Sequence, residues 1–396
     1  MAEALPPVAW TRRADLARLV KALGPGPDGM AGARWVGGAV RDTLLGESAA
    51  DVDCATPLKP QDVIARLDRA GIKAIPTGIE HGTVTAILPQ GHVEITTLRR
   101  DVATDGRRAT VEYATRWEED AARRDFTINA LYADPVTLEI FDYFGGLDDL
   151  RERRVRFIGD ARERIREDHL RILRYYRFQA RFGAELDAEA EAACAELAAT
   201  LKGLSRERVA MELLNLLGLP DPAATLARMH ENGVLGVVLP EATRHAIEDC
   251  AMLAAIERNQ RIAPDPIRRL AALLPPSGPV ADAVAARLRL SKKQRDRLSC
   301  VAERQASDAG SPRALAYREG PACAIDRLLL VGADTGLLKG WTVPELPLKG
   351  GEIVARGVKA GPEVARILRK VEAYWVAEGF PNRDRVLVLL DAVLSD

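Results

Sequence analysis

Strand signals stop near residue 158, and no other feature limits the possible folds of this chain as sharply. Upstream, Arg34-Trp35-Val36, Asp51-Val52-Asp53, Ile72 to Ile75, Thr83 to Leu88, His92 to Leu98 and Leu138 to Phe144 read as short strands. Arg12 to Leu23, Gly38 to Leu45, Pro60 to Ala70 and Glu118 to Tyr132 read as helices. The first of these ends at Gly24-Pro25-Gly26-Pro27, a run that cannot continue a helix. Downstream, apolar residues recur at helical spacing over Ile165 to Phe182, Ala188 to Leu201, Arg206 to Leu217 and Pro222 to His230. A last helix begins near Pro362, with Val364, Ile367, Leu368, Val371 and Trp375 on one face. The expected architecture is an α/β head with a small mixed sheet, followed by an all-α neck, body and tail. Its boundaries are an N-terminal helix and linker at 1–29, the head at 30–157, a helical neck at 158–222, and a helical body and tail at 223–396.

A chain of 396 residues is too long for one ordinary core. Its longest apolar runs fall short of the roughly 18 to 20 residues that cross a membrane. Met1 to Pro7 lacks the basic start and apolar block of a signal peptide, so the cytoplasm is the expected compartment. The five cysteines are odd in number and have no CxxC or Cys/His spacing, which predicts buried, inert thiols rather than disulfides or zinc ligands. A formal net charge of −1 argues against indiscriminate polyanion binding. The positive charge is nevertheless concentrated, with eleven arginines between Arg151 and Arg181 and a second basic run from Arg287 to Arg297 that includes Lys292 and Lys293. Such runs are either solvated helix faces or local grips on a phosphate backbone.

The chemistry is concentrated in Val36-Gly37-Gly38-Ala39-Val40-Arg41-Asp42 and the Asp51-Val52-Asp53 that follows. Two glycines between strand and helix let the backbone approach a phosphate, and Arg41 lies one turn further on as a cation. Alone, the same turn can be just a tight junction. Asp51 and Asp53, two residues apart on a strand, project to one face about 7 Å apart. Oxygen donors of this kind suit a hard cation such as Mg²⁺. Glu94, alternating with Val93 and Ile95, is a candidate third carboxylate unless it simply faces solvent. Three acids suit a two-ion Mg²⁺ site for phosphoryl transfer, which needs no protein nucleophile, and no Ser/His/Asp or Cys/His arrangement stands out.

Gly37-Gly38-x-x-Arg41-Asp42 with Asp51-x-Asp53 resembles the signature of the polymerase-β-type nucleotidyltransferases, and specifically of the class II CCA-adding enzymes of the tRNA nucleotidyltransferase and poly(A) polymerase family. Further blocks match in order. Glu94 to Arg99 is similar to the strand carrying the third carboxylate, and Thr104-Asp105-Gly106-Arg107 to a flexible loop needed for the final A. Ala122 to Ala130 is similar to the nucleotide-ribose motif, and Glu167-Asp168-His169-Leu170-Arg171 to the base-selecting motif. Leu204 to Val209 with Glu212 is similar to the next motif, and Gly361-Pro362 with Trp375 to Pro381 to the tail of bacterial members.

The resemblance implies template-independent addition of CMP and AMP from CTP and ATP to the 3′ end of tRNA, held by its acceptor arm, with neither DNA nor membrane involved. It implies catalytic and metal roles for Asp51, Asp53 and Glu94, and nucleotide contacts from Gly37, Gly38, Arg41, Arg124, Asp125, Asn129, Asp168, Arg171, Arg174 and Arg177. Arg124 is expected on phosphate, with Asp125 and Asn129 near the ribose. Asp168 and Arg171, at i and i+3, are expected to share a helix face and read the edge of C or A. Such a bidentate reading is worth about 1 to 3 kcal/mol of discrimination. The alternatives are an enzyme adding only A, a bacterial poly(A) polymerase, and an inactive tRNA-binding protein on the same scaffold. Only His230 and His245 follow residue 229, so no C-terminal phosphohydrolase centre is expected.

Overall fold

The computed structural model describes residues 3–49, 51–104, 109–184 and 186–395. The chain forms two compact units, one of Met1–Leu213 with Arg228–Val238, the other of Leu214–Ala227 with Leu239–Asp396.

The first unit begins with α1 (Ala14–Leu23), β1 (Arg34–Val36), α2 (Gly38–Leu44), β2 (Val52–Thr56) and α3 (Pro60–Arg69). Next come β3 (Lys73–Gly78), β4 (Thr83–Leu88), β5 (Gly91–Thr97), β6 (Arg99–Thr104) and β7 (Ala109–Tyr113), then α4 (Trp117–Ala122), β8 (Leu131–Ala133) and β9 (Ile140–Asp142). Among the described residues, seven strands form one sheet in the order β3-β4-β5-β2-β1-β8-β9, while β6 and β7 pair separately. β2 and β5 run parallel and every other neighbouring pair is antiparallel. Strand alternation sorts the residues by face. Trp35, Cys54, Val84, Ala86, Val93 and Ile95 are buried on one face, where Val63 and Leu67 of α3 are also buried as α3 packs on β3 and β4. Asp53 and Glu94 lie on the other.

Two expected helices break. Glu118 to Tyr132 holds only α4 and a 3₁₀ turn at Thr127–Asn129, and Tyr132 lies in β8. Its aromatic body packs edge-on against Trp117, so tertiary burial overrides the local helical pattern. Ile165 to Phe182 is two helices, α6 (Ala161–Glu167) and α7 (Arg171–Phe182), after α5 (Gly146–Arg151). The break falls at Asp168, whose backbone is extended (φ −147°, ψ 103°). α8 (Ala188–Leu197) likewise stops short of Leu201, whereas α9 spans Arg206–Leu217 as expected. Phe126, just after α4, meets Phe157 at 4.9 Å and Phe178 of α7 at 5.1 Å, which anchors α7 against the sheet domain. The expected loop residues Asp105, Gly106 and Arg107 lie outside the described residues; Thr104 ends β6.

Helices are the regular elements of the second unit among its described residues. Its core holds an ion-pair network in which the Glu257 carboxylate accepts from Arg268 and from Arg269 Nε (2.9 Å), Asp326 accepts from Arg268 Nε (2.8 Å) and Arg297 Nε (2.8 Å), and Asp265 accepts from Arg297 (2.9 Å). Arg269 also donates to the carbonyls of Leu217 (2.9 Å) and Pro220 (3.1 Å). In the tail, Ile367, Val371 and Trp375 of the helix Pro362–Ala377 pack with Val386 and Leu390 of the helix Arg383–Ser395.

The expectation for the cysteines is corrected in part. Cys300 and Cys323 form a disulfide between the helices Lys292–Ala302 and Pro321–Leu330, which pack together with the two Cα atoms 6.4 Å apart. That proximity comes from helix packing, which spacing along the chain does not record. Cys54, Cys194 and Cys250 are free and buried, and burial pushes Cys54 and Cys250 up to about 12.

Candidate active site

The parallel pairing of β2 with β5 makes Asp53 and Glu94 direct partners in register, so their carboxylates leave the same face of the sheet. Asp51 stands one residue before β2. None of the three accepts a hydrogen bond or ion pair from the described residues. The buried carboxylates of Asp42, Asp120, Asp125 and Asp149, by contrast, all pair with arginines. Burial, followed by the like charge of Glu94 and Asp51, pushes Asp53 up to about 6 against the opposing pull of Arg124 and His92. Among the described residues no three His, Cys, Asp or Glu side chains already form a ligand cluster. The donor chemistry still fits a hard divalent cation, since three neighbouring acids without a counter-ion can ionise together only beside a concentrated positive charge.

β1 runs into the glycine turn at the same end of the sheet, and Val36 is the register partner of Asp53. Gly37 has φ 72°, a left-handed conformation that favours glycine. A Cβ built there would stand 3.6 Å from Nη1 of Arg124, so this guanidinium lies against the turn. Arg124 is held from behind, donating to the Tyr132 hydroxyl (3.1 Å) and to Asp120 (3.2 Å). Burial would raise Asp120, but Arg124, Arg123 and the Tyr132 hydroxyl bring it down from 3.8 to about 2. A carboxylate depressed in this way stabilises the fold at every pH above its unfolded value and loses that contribution as the pH falls towards its folded one. Asp120→Asn should therefore flatten the fall of the urea midpoint between about pH 4.5 and pH 3 relative to the parent. Parallel curves would show that Asp120 is not linked to folding.

Asp125 and Asn129 form the next layer. One oxygen of Asp125 accepts from Asn129 Nδ2 (3.0 Å) and the Phe126 amide (2.9 Å), and the other accepts from Arg174 Nε (2.8 Å). Glu212 of α9 accepts from Arg177 Nε (2.6 Å) and faces Arg174 at 3.5 Å. Arg41 differs from its expected role as a cation presented to phosphate. It is 5% exposed, bonded to Asn129 (2.5 Å) and Asp42 (2.8 Å), and lies over the ring of Phe182, so it holds Asn129 in place.

The base-reading pair is also rearranged. Because the chain turns at Asp168, that residue and Arg171 do not share a helix face. Arg171 donates to Glu167 (2.5 Å) and to the carbonyl of Arg164 (2.7 Å). Asp168, whose side chain is 27% exposed, accepts instead from Arg208 of α9 at 2.7 Å. Arg208 escapes a reading by spacing because it arrives from another helix; the Leu204 to Val209 motif was the one signal for it. The basic runs are largely taken up in ion pairs. Arg151, Arg154, Arg156, Arg162, Arg164, Arg171, Arg174, Arg177 and Arg181 all form internal ion pairs, as do Arg287, Arg295 and Arg297. Most of this charge is neutralised within the fold.

Residues 33–156 match a family described as the poly A polymerase head domain, and residues 183–254 match the probable RNA and SrmB-binding site of polymerase A. The mitochondrial CCA tRNA nucleotidyltransferase 1 of Mus musculus is 36% identical over 367 residues, covering 88% of this chain and 83% of the relative. The CCA-adding enzyme of Geobacillus stearothermophilus is 40% identical over 210 residues, 52% of this chain and 50% of the relative. Among solved structures, the Bacillus stearothermophilus CCA-adding enzyme in complex with CTP superimposes with a TM-score of 0.75 at 27% identity, covering 97% of this chain and 98% of the other.

Proposed function

The chain belongs to the class II CCA-adding enzymes, the tRNA nucleotidyltransferases of the poly(A) polymerase family, and from that premise we propose how its own residues carry out the reaction. It adds CMP, CMP and AMP, drawn from CTP and ATP, to the 3′ end of tRNA, releasing pyrophosphate. The observation that carries the mechanism is the in-register pair of Asp53 and Glu94, unneutralised and next to the glycine turn.

Asp51, Asp53 and Glu94 would hold divalent cations, which we take to be a pair of Mg²⁺ ions. When bound, they supply activation of the terminal 3′-hydroxyl and charge neutralisation at the leaving pyrophosphate. Gly37 and Gly38 leave backbone open to the triphosphate, and Arg124 is aimed there by Tyr132 and Asp120. Asp125 and Asn129 form the ribose side of the pocket, kept in position by Arg41 and Arg174. Asp168 reads the base edge with Arg208 beside it, while Arg171 and Arg177 brace the surrounding helices. The neck would thus select the base, and the body and tail would grip tRNA by phosphate and shape, since every tRNA must be accepted. Among the described residues no helix is long and apolar enough to cross a membrane, and the cytoplasm is our proposed compartment.

Two experiments test this scheme. Offering each NTP separately to tRNAs ending before, within and after CC should give CMP twice and then AMP once; addition limited to A, or an unbounded A tail, would refute it. Asp168→Ala should relax rejection of UTP by about 10- to 100-fold while slowing CTP transfer less, as expected for loss of about 1 to 3 kcal/mol of base recognition. Unchanged rejection of UTP would remove Asp168 from base reading.

A further inference from the structure

The sheet face that bears Asp53 and Glu94 continues across two more strands to the β3 edge, with Thr85 buried and Ile75 and Ile87 exposed along it. Register defines its rows. Ile75 pairs with Thr85, Thr85 with Glu94, and Glu94 with Asp53, so one straight row runs from the edge to the carboxylates. The adjacent row is Lys73, Ile87 and His92. Ile75 is 37% and Ile87 40% exposed, although Val84, Ala86 and Leu88 on the opposite face of β4 are buried. Lys73 forms no ion pair among the described residues, and His92 lies close enough to Asp53 to lower its pKa. The remaining groups on this face are hydroxyls, with Thr77 bonded to Thr85 (2.7 Å) and Thr83 to Thr96 (3.3 Å).

We propose that this face of β3, β4 and β5 is the track on which the unpaired 3′-terminal nucleotides of tRNA lie as they approach Asp53. The proposal rests on reading Asp53 and Glu94 as the catalytic carboxylates. Three strand spacings separate Ile75 from Asp53, about 14 Å, which is room for a few unpaired nucleotides. Apolar side chains flanked by a free lysine suit base faces and phosphates together, whereas a protein strand would add at the edge of β3. Pro76, at the register shift between Ile75 and Gly78, removes an edge donor and disfavours that mode. His92, beside the carboxylates, is the one aromatic ring in these two rows, so between it and the β3 edge no base is gripped by stacking. The end of the RNA can then shift by one position after each addition without breaking a strong contact.

Ile75→Glu and Ile87→Glu should raise the KM for tRNA at least about tenfold, with the KM for CTP and the melting temperature unchanged. Lys73→Glu should reduce the slope of log KM for tRNA against log salt by about 1. A benzophenone side chain introduced at Ile87 should crosslink to the last three nucleotides of the tRNA. An unchanged tRNA KM in both isoleucine variants, or crosslinks confined to the tRNA elbow or to protein, would overturn the track. CCA addition by the parent, and its loss in an Asp53 variant, would still stand in that case.

Discussion

Asp53→Asn abolishes transfer of both CMP and AMP, lowering kcat by at least about 10³-fold, while tRNA still binds. The loss is large if, as proposed, Asp53 helps to hold a divalent cation, because such an ion would supply several kcal/mol of transition-state stabilisation, and about 4 kcal/mol is already a thousandfold. Both nucleotides are expected to be affected because, on the proposed mechanism, C and A addition share the one pair of facing acids on β2 and β5. Asparagine keeps the shape and removes the charge, so the fold is not at issue. Binding is expected to survive because a carboxylate repels RNA phosphates, and removing its charge cannot weaken the electrostatic part of the complex. Single-turnover incorporation of labelled CTP and ATP, with filter binding of the same tRNA, decides the matter. Equal losses of binding and turnover would show that Asp53 supports RNA docking rather than chemistry. A residual rate for AMP alone would point to separate sites for C and A.

Glu257→Ala destabilises the second unit by about 3 to 5 kcal/mol, the usual cost of stranding a buried charge whose partner is removed. Glu257 and Arg269 are fully buried, and both Arg268 and Arg269 donate to the one carboxylate. With the acid gone, two guanidinium groups compete for Asp326 and a few backbone carbonyls. A shift in melting temperature on the order of 10 °C is expected. Replacing Glu257, Arg268 and Arg269 together with apolar residues of similar volume should recover much of the loss, because a buried ion network is often no more stable than a well-packed apolar core. If Glu257→Ala melts within about 2 °C of the parent, solvent reaches the network and its burial is overstated.

Tertiary structure also changes what the arginines mean. Along the chain, Arg151 to Arg181 looks like a surface prepared for RNA. In the fold these residues mostly hold other residues in place: Arg174 fixes Asp125, Arg177 is matched to Glu212, and Arg181 reaches Asp42 and Glu47. Among the described residues, a lysine without an ion pair on the active-site face of the sheet is Lys73, a residue that stands in no basic run.

The sequence by itself determined the strand positions of Asp53 and Glu94 and the glycine turn at Gly37. Alternation on a strand and a glycine pair at a strand end are local properties, fixed by backbone geometry within a few residues. The change from mixed to all-helical architecture was legible for the same reason, since periodicity needs only a short window. Partner choice was not legible. Whether Asp168 meets Arg171 or Arg208, whether Arg41 reaches solvent or Asn129, and whether Cys300 finds Cys323 depends on which helices pack together. A charge or thiol takes its partner from space, and residues 40 positions apart become neighbours only once the core has closed around them.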